Sequence, residues 1–331
     1  MQYNRKSKSL KYNKLVILLI ILLIFTFTGC IKTTSNNNAD SGQNSKPKKK
    51  IALVMKTLTN PFFIEMEKGA RKAESELGIE LIVKTGAQET SIAQQISIVE
   101  DLINSKVDAI VIAPGSSTDL IPVLKKAQDN NIKIVNIDNR LDKAACEKIG
   151  LKDVPFISVN NEEGAYESAK YISDKIKVPT KVAIIEGIKD ADNAESRRKG
   201  SLRAFDANPN IQVVASETAN WKIDEAQNVT AQIFKRNPDI GALFCANDMM
   251  ALGAIQFLDA NNKKDVLIAG FDDLDEAAAA IKSGKMQVTI NQQADIQGYT
   301  GVKYALEMIN GKSEPAETTV DVKLITINNL N

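Results

Sequence analysis

Residues 51–83 read IALVMKTLTNPFFIEMEKGARKAESELGIELIV and contain the clearest local signal in the chain. An unbroken apolar run opens the segment, and Asn60 and Pro61 then suit the cap and the first position of a helix that Gly78 ends. A second apolar run follows the glycine. The helix carries apolar residues at spacings of three and four, namely Phe63, Met66, Ala70, Ala73 and Leu77. A strand, a helix and a strand in this order predict two parallel strands covered by a helix.

Short apolar runs and amphipathic patterns alternate through the rest of the chain. The strand-like runs lie near residues 50–56, 79–84, 107–113, 132–138, 156–160, 181–186, 211–216, 240–246, 266–271 and 286–291, and residues 318–327 also look extended. Continuous apolar strands joined by helices are typical of parallel sheets with both faces covered, so we predict an α/β fold. The 281 residues from Ile51 onward are enough for two domains.

The chain also repeats itself at a nearly constant offset. The segment Ala93–Pro114 aligns without a gap to Ala226–Asn247, which lies 133 residues later. The pair Ile137-Asp138 matches Phe271-Asp272 at an offset of 134 residues. We therefore predict two similar α/β units in tandem.

Polar and aromatic side chains stand where the predicted strands end. Ligands of open α/β sheets bind beyond the carboxyl ends of the strands, so two facing units would line one cleft with these residues. Of the consecutive Phe62 and Phe63, we expect only one to face the cleft. The candidates are Lys56, Asn60, Phe62, Phe63, Asp138, Asn139 and Arg140 in the first unit, and Asp192–Arg198, Trp221, Asn247, Asp248, Asp272, Asp273 and Gln292 in the second.

This mixture of side chains suits a sugar. Each sugar hydroxyl both donates and accepts a hydrogen bond, while carboxylates accept and Arg, Lys and Asn donate. Aromatic rings cover the C–H faces of a pyranose. A buried donor without a partner costs roughly 1–3 kcal/mol, so each hydroxyl position becomes a test of specificity.

The N-terminal residues are typical of a secretory signal. A basic stretch, Arg5–Lys14, precedes the apolar run Leu15–Phe27, whose 13 residues are fewer than the roughly 20 of a membrane span. The run ends in Phe27-Thr28-Gly29-Cys30, which resembles a bacterial lipobox. The resemblance implies that residues 1–29 are removed and that Cys30 carries lipid. An uncleaved N-terminal anchor is the alternative, and it too places the remaining chain outside the membrane.

Residues 30–50 consist mainly of Asn, Ser, Thr and Lys. Such a segment buries too little apolar surface to offset the entropy of ordering. We therefore predict a flexible tether between the lipid and the globular part.

The composition of the globular part excludes several classes of protein. From Ile51 onward, 32 basic residues stand against 40 acidic ones, a net charge of −8, which argues against nucleic acid as a partner. The chain has no histidine, so histidine-dependent zinc sites and the Ser-His-Asp triad are excluded. We expect no metal, no cofactor and no catalytic residue. Besides Cys30 the chain has Cys146 and Cys245; we interpret Cys245 as a buried apolar residue, and a disulfide between the two stays open.

Three motifs resemble those of one family. Met55–Phe62 (MKTLTNPF), Leu243–Gly253 (LFCANDMMALG) and Ala269–Asp272 (AGFD) are similar to motifs of the type I periplasmic binding proteins of the ribose group, over essentially the whole globular part. The resemblance implies two Rossmann-like lobes with parallel sheets, joined by a three-segment hinge near Val159-Asn160, Gln292-Gln293 and Asp321-Val322. The implied N-terminal lobe comprises residues 51–159 and 293–321, and the C-terminal lobe comprises residues 160–292 and 322–331.

The resemblance also implies a set of ligand contacts. Details similar to the allose-binding members are Lys56, Val135–Asp138 (VNID), Val182–Gly187 (VAIIEG), Trp221 and Phe244–Asp248 (FCAND). The positions that hydrogen-bond the sugar are matched by Asn60, Asp138, Arg197, Asn247, Asp272 and Gln292, and Lys56 matches an extra donor. Phe62 and Trp221 match the rings that stack on the sugar. Phe63 and Asn139 complete the candidate set. Two departures argue against ribose itself: the ribose-type Asn after the third strand is Ala113, and the ribose-type Arg after the first Asp is Asn139.

By this resemblance, the chain is a monomeric, lipid-anchored extracellular protein that closes around one allose- or ribose-like monosaccharide and delivers it to an ABC permease. A receptor for a chemoreceptor or sensor kinase, and a binder of a non-sugar polyol or signal molecule, are alternatives. A transcription regulator with this core needs an N-terminal helix-turn-helix, where this chain has a signal sequence. A glycosidase that pairs Asp138 with Asp272 would turn the sugar over, whereas a binding protein returns it unchanged.

Overall fold

The computed structural model describes residues 47–330, so the predicted signal segment, Cys30 and most of the predicted tether lie outside the described residues. The strands are β1 (Lys50–Met55), β2 (Glu80–Thr85), β3 (Ala109–Ile112), β4 (Lys133–Ile137), β5 (Phe156–Val159), β6 (Thr180–Glu186), β7 (Ile211–Thr218), β8 (Ile240–Cys245), β9 (Leu267–Ala269), β10 (Val288–Asn291), β11 (Glu317–Val320) and β12 (Lys323–Thr326). The helices are α1 (Pro61–Leu77), α2 (Ile92–Asn104), α3 (Ile121–Asp129), α4 (Lys143–Ile149), α5 (Asn161–Ser173), α6 (Asp192–Asp206), α7 (Ile223–Arg236), α8 (Asp248–Ala260), α9 (Asp275–Lys282) and α10 (Ala294–Ile309).

Two six-stranded sheets form the centres of two lobes. The sheet of the first lobe has the order β11-β5-β4-β3-β1-β2, and the sheet of the second lobe has the order β12-β10-β9-β8-β6-β7. Neighbouring strands run parallel except β10 and β12, which pair antiparallel. The predicted α/β fold with two lobes is confirmed.

The chain passes between the sheets three times. These passages lie between β5 and β6, between β10 and β11, and between β11 and β12. The run 318–327 is therefore two strands in different lobes rather than one extended element, because the chain changes lobes near Asp321. The residue boundaries of the lobes stay a prediction.

Local sequence explains the first unit of the fold. Asn60 caps α1 by accepting a hydrogen bond from the backbone N–H of Phe62 over 3.1 Å. Gly78 ends the helix in the left-handed conformation, at a φ of 66°, which glycine adopts without steric cost. The apolar residues of β1 from Ile51 to Met55 are fully buried, as a strand covered on both faces requires.

Two further features concern membranes and thiols. None of the helices between residues 47 and 330 is both long and apolar enough to span a membrane. Within residues 47–330, Cys146 and Cys245 are free and form no disulfide with each other, so that alternative is excluded. Cys245 is buried in β8, and this burial raises the pKa of its thiol.

Candidate functional site

A cavity of about 230 Å³ lies between the two lobes, at the carboxyl ends of their strands. Each lobe contributes six residues to its lining. They are Lys56, Asn60, Phe62, Phe63, Glu89 and Asp138 from the first lobe, and Asn193, Arg197, Trp221, Asn247, Asp272 and Gln292 from the second. Ten of the eleven residues expected to contact a ligand therefore lie around one cavity, and Asn139 does not.

The wall of the first lobe places a cation between two carboxylates. Lys56 Nζ lies 2.8 Å from Asp138 Oδ2 and 4.0 Å from Glu89 Oε2, and its side chain is only 3% exposed. Asn60 donates from Nδ2 to Glu89 Oε1 over 2.9 Å. Burial raises the pKa of Glu89, although the charge of Lys56 opposes that shift. The arrangement offers both donors and acceptors to a polar ligand.

The wall of the second lobe holds an arginine in a fixed position. Arg197 donates from Nε to Asn161 Oδ1 over 2.9 Å and from Nη1 to the carbonyl oxygen of Ala246 over 2.8 Å. Its Nη1 also lies 3.7 Å from Asp272 Oδ1, an oxygen that accepts a hydrogen bond of 2.6 Å from Gln292 Nε2. Burial lowers the pKa of Arg197 and raises that of Asp272 well above its ordinary value.

Aromatic rings border the cavity on both sides. The rings of Phe62 and Phe63 meet edge to face, with centroids 5.1 Å apart, and both side chains reach the lining. The expectation that only one of them faces the cleft is wrong, because successive helical residues are about 100° apart and both can border the cavity from the first turn of α1. On the other side, the Trp221 ring lies 5.4 Å from the guanidinium carbon of Arg197.

Several buried polar atoms of the lining have no hydrogen-bond partner among the described residues. Trp221 Nε1 is such a donor, and Asn193 Oδ1 and Gln292 Oε1 are such acceptors. Asp138 Oδ2 is close to Lys56 but is not aligned with it for a hydrogen bond, so the contact is an ion pair. Because buried polar groups are nearly always paired, these atoms are available to a polar ligand or to water.

Backbone strain coincides with the lining. Asp138, Trp221 and Asp272 have φ angles of 62°, 66° and 137°. Conformations of this kind cost on the order of 1–3 kcal/mol each in non-glycine residues and cluster at functional sites. Here they turn the chain just past the strand ends, where the side chains meet the cavity.

The structure separates neighbouring candidates that the sequence left together. Arg197 lines the cavity, whereas Arg198 pairs with Glu195 at the surface. Asp248 is buried but does not line the cavity; it accepts hydrogen bonds from the backbone N–H groups of Phe271 and Leu274. Its carboxylate therefore ties strand ends of the second lobe together.

The lining differs from the predicted set at Asn139 and Glu89. The Asn139 side chain is fully buried outside the lining and donates to the carbonyl oxygen of Pro114 over 3.1 Å and to Ser117 Oγ over 3.3 Å. Glu89 lines the cavity, although the sequence analysis did not single it out, and Asn193 lines it from within the candidate range Asp192–Arg198. Glu89 follows the end of β2, and a position after a strand end is the signal that could have found it.

Comparisons with known proteins identify the relatives of this chain. Residues 51–313 match the family model described as a periplasmic binding protein domain. The D-ribose/D-allose-binding protein of Pseudomonas aeruginosa is 38% identical over 275 residues, which cover 82% of this chain and 85% of the relative. The D-allose-binding periplasmic protein of Escherichia coli is 33% identical over 277 residues, covering 83% and 89% of the two chains.

A solved structure gives the same result. An ABC transporter periplasmic solute-binding protein from Actinobacillus succinogenes, with bound D-allose, has a TM-score of 0.80 and 39% identity, covering 85% of this chain and 98% of its own. The family consists of solute-binding proteins rather than enzymes. The chain belongs to the periplasmic binding protein family, in the group of ABC transporter solute-binding proteins that includes the ribose- and allose-binding relatives.

Proposed function

We propose that this chain binds one monosaccharide in the cavity between its lobes and delivers it to an ABC permease, with an allose-like aldohexose as the leading ligand. The supporting observation is the composition of the lining, in which six residues from each lobe combine charged donors, carboxylates, amides and aromatic rings. Trp221 Nε1, Asn193 Oδ1 and Gln292 Oε1 have no partner among the described residues and are available to a ligand. A molecule with hydroxyls around its whole rim can pair with all three, because each hydroxyl donates and accepts.

The division of the lining between the lobes supports closure around the ligand. Because the lining comes from both lobes, a sugar makes its full set of contacts only when they are closed. This differential affinity drives hinge closure.

The first lobe supports a sugar other than ribose. Where the ribose-type pattern has an Asn and an Arg, this chain has Ala113 and Asn139, and neither residue lines the cavity. Two contacts of the ribose type are therefore missing. The extra cation on that side is Lys56, held between Asp138 and Glu89. The names of the allose-binding relatives point to the same class of ligand.

The test is a thermal-shift screen of the purified protein against D-allose, D-ribose, other aldohexoses and pentoses, and myo-inositol, followed by calorimetry. A ligand at a thousandfold excess over its Kd stabilises the fold by about 4 kcal/mol, so a cognate sugar gives a clear shift. We expect the largest shift with D-allose. A folded protein that responds to no monosaccharide would refute the assignment, and a response to ribose alone would refute the allose-like ligand.

We also propose that the protein is a monomer held by lipid on Cys30 at the outer face of the cell membrane. The support is the sequence around Cys30, which lies outside the described residues. In the producing cell, Cys30→Ser should release the protein from the membrane fraction and leave its sugar binding unchanged. Membrane retention of this variant would show that the lipid is not the anchor, and light scattering would reveal any oligomer.

A further inference from the structure

The helix that carries Arg197 into the cavity does not cap its own N-terminus. Helix α6 begins after Ala191, which has no side-chain oxygen to accept a hydrogen bond from the first turn. The carbonyl oxygen of Ala191 accepts from the N–H groups of Ala194 and Glu195, over 3.0 and 3.1 Å. The first four N–H groups of a helix have no partner within the helix, so two of them still need an acceptor.

The opposite lobe supplies both acceptors. The backbone N–H of Asp192 donates to Ser117 Oγ over 3.1 Å, and that of Asn193 donates to Asn139 Oδ1 over 3.3 Å. Ser117 and Asn139, which we call the capping pair, belong to the first lobe, whereas α6 belongs to the second. The two hydrogen bonds therefore cross the cleft and join the lobes without a ligand between them.

The capping pair is held in place by its own lobe. Asn139 Nδ2 donates to Ser117 Oγ and to the carbonyl oxygen of Pro114, which turns Oδ1 towards α6. Asn136 Nδ2 donates to the carbonyl oxygen of Asn139 over 2.8 Å. Both members of the pair are buried. The acceptors are thus set in position before the helix arrives, so little ordering is needed when the lobes meet.

The location of the capping pair connects it to the cavity without making it part of the lining. Asn193, whose N–H is capped, lines the cavity, and Arg197 lies one helical turn further along α6. Neither Ser117 nor Asn139 lines the cavity. The pair also places side-chain oxygens at the positive end of the helix dipole, where such groups are favourable.

We infer that Ser117 and Asn139 are positioning residues that cap α6 across the cleft only when the lobes are closed, and that they thereby set the affinity of the site for every sugar it accepts. This inference rests on the proposed sugar-binding function. A ligand that needs the closed state binds more weakly in proportion as that state becomes less populated. Loss of the capping pair therefore lowers the affinity for all sugars by one common factor. Loss of a residue that contacts the sugar instead changes the ratio of the affinities for different sugars.

The direct test measures binding of D-allose and D-ribose by calorimetry to the full chain and to two matched serine variants. Ser117→Ala removes one of the two hydrogen bonds that cap α6 across the cleft. It should lower the affinity for both sugars by the same factor, roughly 3- to 10-fold, as expected for one net hydrogen bond. Ser116→Ala is the control, because Ser116 Oγ accepts only from Thr118 and Asp119 of its own lobe. Wild-type affinity of Ser117→Ala, or factors that differ between the sugars, would overturn the inference.

A second variant moves the cap instead of removing it. Ala191 has the extended conformation of a helix cap, at φ −85° and ψ 125°, so Ala191→Ser should cap α6 within its own lobe. The helix is then capped in the open state as well, so closure no longer gains a cap. Both sugars should therefore bind more weakly by a common factor, while the ligand-free fold keeps its stability. Unchanged affinity in this variant counts against a cap that favours closure.

One measurement does not depend on the sugar. In the ligand-free full chain the lobes are open and the Asn193 amide lacks its acceptor across the cleft, so its hydrogen exchange should be slower in Ala191→Ser, which supplies an acceptor within the second lobe, than in wild type. If neither sugar binds wild type, the proposed ligand is wrong and this comparison alone decides. Equal exchange in the two proteins would then overturn the inference.

Discussion

Gly187 follows β6 beneath the ring of Trp221, and a single methyl group there should disturb the site. A Cβ at this position would lie 2.0 Å from Trp221 Cζ2, whereas carbon atoms in contact normally stay at least about 3.5 Å apart. The ring must therefore move by roughly 1.5 Å, against Arg197 or into the cavity. Gly187 is not among the glycines with positive φ, so alanine adds bulk without backbone strain.

We expect Gly187→Ala to lower the free energy of unfolding by about 1–3 kcal/mol, the usual cost of overpacking a buried site. Sugar affinity should fall by at least about tenfold, since displacement of the Trp221 ring costs a stacking contact and its Nε1 donor. Urea denaturation and calorimetry measure the two effects. Gly241→Ala is the matched control, because its Cβ would meet only Thr180 of the same lobe, away from the cavity. Wild-type affinity of Gly187→Ala would refute the reasoning that Trp221 contacts the ligand.

Two further predictions concern carboxylates of the second lobe. Asp272→Asn replaces an acceptor of the lining and should weaken sugar binding about 5- to 150-fold, the cost of roughly 1–3 kcal/mol for leaving a buried donor without its partner. Asp273→Asn, outside the cavity lining, should leave the affinity unchanged. Equal affinities of the two variants in calorimetry would contradict the assignment of Asp272. Burial raises the pKa of Asp248 to about 6 from an ordinary value of 3.8, so the folded chain holds this proton more tightly than the unfolded chain. Its contribution to stability is therefore present at low pH and is lost as the pH rises from about 4 to 6. As the pH is lowered from 7 to 4, the unfolding free energy of wild type should rise by up to about 3 kcal/mol relative to that of Asp248→Asn. Urea titrations of both proteins measure this difference. A difference that does not depend on pH would exclude the raised pKa of Asp248.

Strand positions could be predicted because their signal is local. Each of the ten apolar runs overlaps a strand of the described chain, with bounds that agree to within about two residues, and the two mostly parallel sheets follow from the way helices separate those runs. The last run was harder to interpret. β11 and β12 are consecutive in sequence but belong to different lobes, and no local pattern records which sheet a short edge strand joins.

Candidate residues at strand ends were largely found together because parallel strands bring their carboxyl ends to one edge of a sheet. Asn139 shows where that reasoning stops. It follows Asp138, which turns the backbone at a φ of 62°, so the two adjacent side chains diverge and only that of Asp138 lines the cavity. Glu89 was missed because it lies in the loop after β2, and the path of that loop depends on packing.

The sequence by itself determined the α/β class, the tandem units and most of the side chains around the cavity, since hydrophobic periodicity and strand-end position act over a few residues. Only the tertiary structure decided how the lobes meet. It placed Lys56 between two carboxylates and left Trp221 Nε1 without a partner in the described part of the chain. It also set Ser117 and Asn139 against the uncapped end of α6. Those contacts join residues 33 to 82 positions apart in the chain, and such pairings follow from the packing of whole lobes rather than from any local pattern.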